Sequence, residues 1–400
     1  MTAVCKTCLA YPAFDKLFEN GCLLERVDKC DYCGKKSEEI ALVVSELAAY
    51  IMEQVQKEYT DPANELPYDG REGGYQGNVI DNPGDLFAEI EFELENSQLM
   101  EYLCDCLGAD VWLCRDNYFA LEPHKRLRFG WQRFCKVVKH ERRYTFWSAF
   151  DDTESEYDPD YLPTAKVLAE VADNISTTAL AKPFATSTKI WRARVHSPDN
   201  TLSVATDFAA PPVEFAKYSN RMSPAGVSMF YGADSVATAI AEVVENRPLE
   251  KGKVVSVAAF SPTRELQVLD LADLPDVPSF FDDRDTLRHS LYFLVRFRHD
   301  VSQPVKKDGR EHVEYVPTQA FAEFIRHEVK GPSGDAIDGI RYTSAIGPDT
   351  CYAIFADHEA CLPEVAETWR DHTPLLTFDA ESVRTLSPGE VARLPARPKR

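Results

Sequence analysis

The stretch NRMSPAGVSMFYGADSVATAIAEVVE (residues 220–245) combines two turns, a short apolar run and an amphipathic helix. Pro224 suits a β-turn position that needs a fixed φ, and the run VSMFY (227–231) has the composition of a buried strand. Asp234 or Ser235 is expected to cap the helix that follows. A buried strand followed directly by a helix is the local pattern of an α+β fold.

Three polar side chains in this stretch are not required by its packing. The apolar face of the helix is formed by residues at helical spacing, Val236, Ala239, Ile240 and Val243. Glu242 falls about 60° from Ala239, at the margin of that face, where a partly desolvated carboxylate suits the stabilisation of a cation. Arg221 precedes the strand and Tyr231 ends it, so both could reach the same cleft. Periodicity alone also allows an ordinary surface glutamate.

The run TKIWRARV (188–195) predicts a strand with two arginines on one face. Strand alternation places Arg192 and Arg194 on the same side, roughly 7 Å apart, opposite a mainly apolar face. Two adjacent guanidinium groups are costly to bury, but they suit a diphosphate, which accepts planar bidentate pairing. An exposed strand face with surface arginines is the alternative.

Two later stretches extend the strand-and-helix pattern. EHVEYVPTQAFAEFIRHEV (311–329) predicts a strand and then a helix that starts near Thr318. DGIRYTSAIGPDTCYAIFA (338–356) predicts a strand, a turn that holds Ser344, and another strand. Ser344 has no neighbouring histidine in a nucleophile-elbow context, which argues against a serine hydrolase. Capping of the turn is its simplest role.

Four cysteines near the N-terminus form two CxxC pairs, Cys5 with Cys8 and Cys30 with Cys33. A CxxC turn sets two thiolates about one tetrahedral edge apart, so two such pairs can complete a closed structural zinc site. The pairs are 21 residues apart, slightly beyond the usual range of about 15 to 20. Four core cysteines or a dithiol redox pair are the alternatives.

A basic stretch, KRLRFGWQRFCKVVKHERR (125–143), concentrates positive charge in an otherwise acidic chain. Helical spacing places three apolar residues on one face, Trp131, Phe134 and Val138. Arg133, Lys136 and His140 share another face, on which Arg133 and His140 are two turns apart. Such a surface could dock RNA. A solvated face, or pairing with the acidic segment 151–163, is the simpler alternative.

Composition indicates a soluble globular protein with two domains, because 400 residues are too many for one ordinary core. The net charge of −21 argues against nonspecific binding of nucleic acid or anionic lipid. No apolar run approaches the roughly 18 residues that span a bilayer, and the first residues do not resemble a secretory signal. The 11 cysteines then indicate reduced thiols, so we expect a cytoplasmic protein with no membrane partner.

Helical periodicity predicts helices over 37–59, 97–109 and 163–180, whereas strand-like runs dominate from residue 188 onwards. The expected organisation has four parts: a mainly helical domain with a zinc knuckle (1–150), an acidic linker with a connecting helix (151–187), a strand-rich domain (188–385) and a basic tail (386–400).

Four stretches together resemble the RES domain, which is named for its arginine, glutamate and serine: WRAR, NRMSPAGVSMFYGADSVATAIAEV, EYVPTQAFAEFIR and DGIRYTSA, in that order. The resemblance covers residues 188–375. The N-terminal half resembles the HEPN-like domain found ahead of RES domains, and the spacing of Arg133 and His140 resembles the motif of HEPN ribonucleases. The resemblance implies an ADP-ribosyltransferase-like split β-sheet and a toxin enzyme that destroys NAD, by phosphorolysis or hydrolysis, or that transfers ADP-ribose to a protein or nucleic acid.

The resemblance also assigns residues. Arg192, Glu242 and Ser344 match the arginine, glutamate and serine of the family, and Arg221 and Tyr231 match positions that line its NAD pocket. These five residue types suit cleavage of the nicotinamide–ribose bond. The glutamate would stabilise an oxocarbenium-like cation, and the serine hydroxyl would hydrogen-bond the ribose or nicotinamide region.

Two further assignments concern the pocket. Arg192 and Arg194 would hold the pyrophosphate, and Tyr231 would stack on or orient the nicotinamide. Met222-Ser223 stands where family members often have an aromatic residue or asparagine, so the local pocket shape is expected to differ.

The expected ligands are NAD as substrate and zinc as a structural ion. A toxin of this kind needs restraint, by an antitoxin or by its own N-terminal domain. A homo-oligomer and an RNA partner are further options, and RNA is the weaker one because it depends on the basic stretch alone.

Overall fold

The computed structural model describes residues 2–19, 24–107, 111–115, 121–148, 158, 160–244, 249–282, 285–305, 309–347, 349–363 and 374–394. The chain forms two compact units, each assembled from three segments. The first unit comprises Met1–Pro123, Tyr157–Asp160 and Asp276–His289. The second comprises His124–Glu156, Tyr161–Pro275 and Ser290–Arg400.

This division differs in two places from the boundaries that we expected. The basic stretch 125–143 belongs to the second unit, although it precedes the boundary expected at residue 150. Residues 276–289 belong to the first unit, although they lie within the strand-rich half of the sequence. Most of the acidic linker, 151–157, and the last six residues of the basic tail, 395–400, lie outside the described residues.

In the part of the first unit that the structure describes, the chain forms short strands and four helices. Its strands are Ala3–Cys5 (β1), Arg26–Lys29 (β2), Lys36–Val43 (β3), Tyr59–Thr60 (β4), Tyr68–Asp69 (β5), Gly74–Tyr75 (β6), Val79–Ile80 (β7) and Trp112–Cys114 (β8). Its helices are Lys6–Leu9 (α1), Val44–Glu58 (α2), Pro83–Glu89 (α3) and Ser97–Leu107 (α4), with 3₁₀ segments Pro12–Phe18 and Pro62–Asn64. The strands form three small antiparallel sheets, in the orders β1-β3-β2, β4-β8-β7 and β5-β6.

The helix predicted over 37–59 is correct only from Val44 onwards, and Ser37 caps no helix. Residues Lys36–Val43 form a strand instead, because β1 and β2 pair with it on both sides. Ala41, Leu42 and Val43 are buried there. Because these three buried residues are consecutive, they read as a continuous apolar run, which periodicity cannot distinguish from part of a buried helix.

The second unit is built around one mixed sheet. Its strands are Ala181–Phe184 (β9), Ile190–His196 (β10), Phe230–Ala233 (β11), Val254–Pro262 (β12), Leu266–Asp270 (β13), Gly339–Thr343 (β14), Thr350–Ile354 (β15) and Leu376–Leu386 (β16). They lie in the order β16-β12-β10-β11-β15-β14-β13-β9. Neighbours are antiparallel except β13 and β14, which are parallel.

Helices cover this sheet: Pro123–His140 (α5), Val167–Thr177 (α6), Ala205–Phe208 (α7), Val236–Val244 (α8), Arg288–Ser302 (α9), Glu311–Glu314 (α10), Val316–Glu328 (α11) and Pro388–Val391 (α12). The 3₁₀ segments of this unit are Phe146–Ser148, Thr164–Lys166, Val213–Phe215 and Glu359–Cys361, whereas a further one, Asp285–Leu287, belongs to the first unit. The α+β class predicted from the sequence is therefore confirmed. None of the described helices is long and apolar enough to cross a membrane.

Within this sheet, β10 and β11 are the neighbouring strands with the fewest paired residues. These strands share a single residue pair, Trp191 with Ala233, whereas β10 pairs with β12 along its whole length from Ile190 to His196. The backbones therefore diverge in the middle of the sheet, which leaves the side chains beyond the shared pair facing a gap.

The basic helix α5 is part of the core of this unit. Trp131, Phe134 and Val138 are buried, as their helical spacing predicted. The ring of Trp131 lies 4.9 Å from that of Phe297 on α9, which lies 4.9 Å from that of Phe321 on α11. The apolar face of α5 thus completes a helical layer that also contains α9 and α11.

One predicted strand is absent from the described residues. HVEYV, expected to be extended, instead forms α10 and the start of α11, and α11 begins at Val316 rather than near Thr318. Val313 and Val316 are three residues apart, which places them on one face of a helix as readily as Val313 and Tyr315 share a strand face. Pro317 is tolerated because the first turn of a helix needs no backbone donor there.

Candidate active site

A cavity of about 1060 Å³ lies where the sheet diverges. Its walls are β10, β11, α8, the loop 211–225 and α10. Five of the predicted site residues line it: Arg192, Arg194, Arg221, Tyr231 and Glu242. The sixth, Ser344, contacts the cavity only through Glu242. The arrangement therefore joins residues that are up to 152 positions apart along the chain.

Arg192 is a buried cation at the closed end of the cavity, with only 8% of its surface exposed. One guanidinium nitrogen donates to the carbonyl of Tyr231 at 2.6 Å, and the guanidinium lies 5.0 Å from the ring of Phe230. Its Nε has no hydrogen-bond partner, and no carboxylate of the described residues pairs with it. Burial, together with the neighbouring charge of Arg194, lowers the pKa of Arg192 well below its usual value. A buried cation without a counter-ion is a ready-made site for an anionic ligand.

Arg194 lies two residues further along the same strand face. Its Nε donates to the carbonyl of Asp207 at 3.3 Å and a terminal nitrogen donates to that of Ala209 at 2.9 Å. Burial lowers the pKa of this guanidinium. Carbonyls fix its position without neutralising it, so the positive charges of Arg192 and Arg194 both act on the cavity.

Two hydrogen-bond donors contact the carboxylate of Glu242. The Ser344 hydroxyl donates to Glu242 Oε1 at 2.5 Å, and the Cys351 thiol approaches the same oxygen at 3.5 Å. Ser344 is 1% exposed and its Oγ accepts from the backbone nitrogens of Ile346 at 3.1 Å and Gly347 at 2.6 Å. Both donors therefore act on Oε1, and among the described residues Oε2 receives no hydrogen bond.

Contacts at the N-terminus of α8 fix the helix that carries Glu242. Ser235 Oγ accepts from the backbone nitrogen of Thr238 at 3.2 Å, so Ser235 is the cap and not Asp234. Asp234 instead pairs with Arg341 at 3.1 Å and accepts from the hydroxyls of Thr350 and Tyr352. The start of α8 is thereby fixed to β14 and β15, which flank the turn that holds Ser344.

Arg221 is fixed at the other side of the cavity by the end of a helix. Its terminal nitrogens donate to the carbonyls of Val301 at 2.6 Å and Gln303 at 2.8 Å, at the C-terminus of α9. A helix C-terminus carries unpaired carbonyls and a partial negative charge, so it is a favourable partner for a guanidinium. The guanidinium also lies 5.6 Å from the ring of Tyr315.

Tyr231 is a structural as well as a lining residue. Its hydroxyl accepts from the backbone nitrogen of Met222 at 3.1 Å and shares a hydrogen bond with Ser223 Oγ at 3.0 Å. Burial raises the pKa of this phenol to about 12. Met222-Ser223 therefore anchors Tyr231, which gives this local departure from the usual family residues a physical role.

Two residues that position Arg221 were not predicted from the sequence. Gln319 Nε2 donates to the carbonyl of Asn220 at 2.8 Å, and Thr318 Oγ1 donates to that of Arg221 at 2.5 Å. Both side chains are buried on α11 and hold the backbone on either side of Arg221. Two adjacent polar residues within an apolar helical run, VPTQAF, are the signal that could have revealed them.

The predicted metal ligands also come together in the first unit. The Sγ atoms of Cys5, Cys8, Cys30 and Cys33 all lie within 4.8 Å of one another. Cys5 Sγ lies 3.7 Å from Cys33 Sγ, and the backbone nitrogen of Cys5 donates to Cys30 Sγ at 3.3 Å. Backbone donors to sulfur are the usual support of a thiolate knuckle. This donor set could hold a zinc ion with all four positions closed.

The two residues of the HEPN-like spacing have different surroundings. The guanidinium of Arg133 lies 4.5 Å from the ring of Tyr161, whereas His140 is exposed at the last residue of α5. Stacking on Tyr161 gives Arg133 a structural role within the second unit.

The chain matches two families. Residues 189–379 match the RES domain, and residues 25–152 match the HEPN/RES N-terminal domain 1. Every residue that lines the cavity falls within the first match. The chain is therefore a RES domain protein, as its motifs indicated. More particularly, it carries the HEPN/RES N-terminal domain 1 ahead of its RES domain. No curated protein matches the chain, and no solved structure does.

Proposed function

We propose that this protein is an NAD-degrading enzyme that cleaves the bond between nicotinamide and ribose. One observation carries the proposal: two adjacent arginines without a carboxylate partner among the described residues share a cavity with a carboxylate whose second oxygen is open. Paired cations suit the diphosphate of a dinucleotide, and the carboxylate suits a cationic sugar. The RES domain match is consistent with an NAD-related toxin.

The two arginines and the glutamate have separate roles in the proposed reaction. Arg192 and Arg194 bind the diphosphate and so fix the ribose against α8. As the nicotinamide–C1′ bond breaks, its electron pair leaves with the nicotinamide nitrogen and positive charge develops on C1′ and the ring oxygen. Glu242 Oε2 faces that charge and stabilises it more than the neutral sugar of the ground state. An oxygen of water or hydrogen phosphate then forms the new bond to C1′, and the proton that this nucleophile loses is released to solvent.

Ser344 acts through Glu242 in this scheme. Its hydroxyl is bonded to Oε1 and to two backbone nitrogens, and it does not line the cavity. We therefore revise the expected role of this serine, from a contact with the ribose or nicotinamide to the positioning of the glutamate.

Product analysis of the purified full chain tests the proposal. Incubation with NAD is expected to release nicotinamide together with ADP-ribose, or with ADP-ribose 1″-phosphate when phosphate is the acceptor. Glu242→Gln is expected to reduce this release by about a hundredfold or more while the thermal unfolding temperature is retained. Unchanged release by Glu242→Gln contradicts the mechanism. Label from NAD that is retained on a protein or nucleic acid supports ADP-ribosyl transfer instead.

We further propose that zinc in the cysteine quartet is structural, and that the enzyme acts in the cytoplasm as a toxin of a toxin–antitoxin or anti-phage system. The zinc proposal is supported by the closed set of four thiolates. The toxin proposal is supported by the RES domain match alone, and it implies restraint by an antitoxin or by the N-terminal domain.

A further inference from the structure

Two large aromatic side chains lie in solvent at the open edge of the active-site cavity. Phe215 is 63% exposed and Tyr218 is 81% exposed, and both line the cavity. At the closed end, by contrast, Arg192, Tyr342 and Cys351 are buried. The cavity therefore has a charged, buried end and an aromatic, exposed end.

The exposure of these two rings does not come from a loosely held loop. The backbone nitrogen of Gly226 donates to the carbonyl of Ala216, between the two rings, at 2.7 Å. The backbone nitrogen of Asn220 donates to the carbonyl of Ser223 at 2.8 Å, and buried Gln319 donates to the carbonyls of both residues, at 2.8 and 3.2 Å. The loop is thus held to itself and to α11, so the rings are presented to solvent at a fixed place.

We propose that Phe215 and Tyr218 form a base-binding subsite, which takes the adenine ring of the dinucleotide. The inference rests on the proposed function. When the nicotinamide ribose lies against Glu242 and the diphosphate against Arg192 and Arg194, the adenosine half is left to extend towards the open edge. A purine stacks on aromatic faces, and Lys217, whose Nζ lies 5.9 Å from the ring of Phe215, adds a cation beside the same edge.

The chain offers a matched control two residues before Phe215. Val213 is 62% exposed and lies on the same 3₁₀ segment as Phe215, but it does not line the cavity. A subsite for a base requires Phe215 and Tyr218 and not Val213. A broad apolar contact with another protein would include all three.

The test compares two substrates that share the reacting bond. NAD carries the adenosine half, and nicotinamide mononucleotide lacks it. In the full chain, Phe215→Ala and Tyr218→Ala are each expected to lower kcat/KM for NAD by roughly tenfold, mainly through KM, and to change kcat/KM for the mononucleotide by less than about twofold. Val213→Ala is expected to leave both values unchanged. Equal losses on both substrates, or no loss on NAD, overturn the subsite.

Binding of ADP, measured by calorimetry, separates this inference from the proposed reaction because it needs no turnover. Tyr218→Ala is expected to weaken ADP binding by roughly tenfold, whereas Glu242→Gln leaves it unchanged. If the wild-type chain binds ADP with this dependence but cleaves no NAD, the reaction is wrong and the subsite stands. If NAD is cleaved but ADP affinity is the same in Tyr218→Ala and wild type, the subsite is wrong and an interface with a protein partner becomes the explanation of the rings.

Discussion

The Ser344 hydroxyl donates a 2.5 Å hydrogen bond to Glu242 Oε1, across 102 residues of sequence. Two backbone nitrogens, from Ile346 and Gly347, donate to the same hydroxyl oxygen. The hydroxyl hydrogen is therefore directed at the carboxylate, since both backbone contacts require the oxygen to accept. This geometry explains how a serine that does not line the cavity orients the carboxylate that does.

Ser344→Ala is expected to reduce kcat for NAD by about ten- to a hundredfold, because a hydrogen bond to a charged group contributes about 1.5–3 kcal/mol. KM should change by less than threefold, since the serine does not line the cavity. Nicotinamide release at saturating NAD measures the effect. Cys351→Ala is the matched control: its thiol is a weak donor at 3.5 Å from the same oxygen, so its loss should cost fivefold or less. Equal effects of the two substitutions contradict the assignment of Ser344 as the main positioning residue.

Arg192→Met is expected to stabilise the ligand-free protein while abolishing turnover. The substitution removes a buried cation whose Nε has no partner and replaces it with an apolar side chain of similar length. Relief of that burial is worth about 1–2 kcal/mol, or a rise of a few degrees in the unfolding temperature. Calorimetry without NAD measures the rise. Arg192→Lys retains the charge and should show no such gain, so a lower unfolding temperature for Arg192→Met than for Arg192→Lys would refute this account.

Lys139 is expected to stabilise the second unit through Glu314. Its Nζ lies 2.7 Å from Glu314 Oε2, and this hydrogen bond lowers the pKa of Glu314 from its ordinary value of 4.5. A carboxylate with a lowered pKa in the folded state contributes stability that is complete above pH 4.5 and is lost as the pH falls through the folded-state pKa. Because Glu314 is partly exposed, the contribution is discounted to about 0.5–1 kcal/mol.

Thermal unfolding of Lys139→Met at several pH values tests that stabilisation. We expect a lower unfolding temperature than wild type at pH 7, with the difference shrinking as the pH falls from 4.5 through the folded-state pKa of Glu314. Lys136→Met is the control on the same helix, because its Nζ lies 3.7 Å from Glu141 and both side chains are largely exposed. A pH-independent difference for Lys139→Met would assign the loss to packing of its stem and not to the ion pair.

Metal analysis of the purified chain is expected to find one zinc ion per molecule. Cys30→Ser should lose it and lower the unfolding temperature of the first unit, because four thiolates complete the site and the knuckle has little apolar mass of its own. Cys106→Ser, at an exposed cysteine outside the quartet, should retain the zinc. Full zinc content in Cys30→Ser would mean that the ion lies elsewhere.

The strands of the second unit were predictable because their side chains alternate between two environments. Ile190 enters one hydrophobic cluster with Phe230 and Phe260, and Ala193 enters another with Val255. That alternation is local and can be read from TKIWRARV. The strand β3 was missed for the converse reason: its buried residues face apolar neighbours on both sides, and which strands flank it is a tertiary fact.

Residues that line the candidate cavity could be singled out from the sequence, but the hydrogen bonds that position them could not. Charge and spacing single out Arg192, Arg194 and Glu242, and the family resemblance adds Arg221, Tyr231 and Ser344. No local pattern reveals that Arg221 binds the carbonyl end of α9, 80 residues away, or that Gln319 holds the loop at Asn220. Such contacts depend on how α9 and α11 pack, and that packing has no signature within either short segment.

Each unit is assembled from segments on both sides of residues 151–156, which has a consequence for cleavage of the chain there. A cut within 151–156 yields an N-terminal fragment that includes α5, which packs in the second unit, and a C-terminal fragment that includes 276–289, which packs in the first. Each fragment thus supplies a segment of the unit that the other fragment mostly builds. A nicked molecule should remain one particle in size-exclusion chromatography until denaturant separates it, so proteolysis of the linker would not liberate a free RES domain.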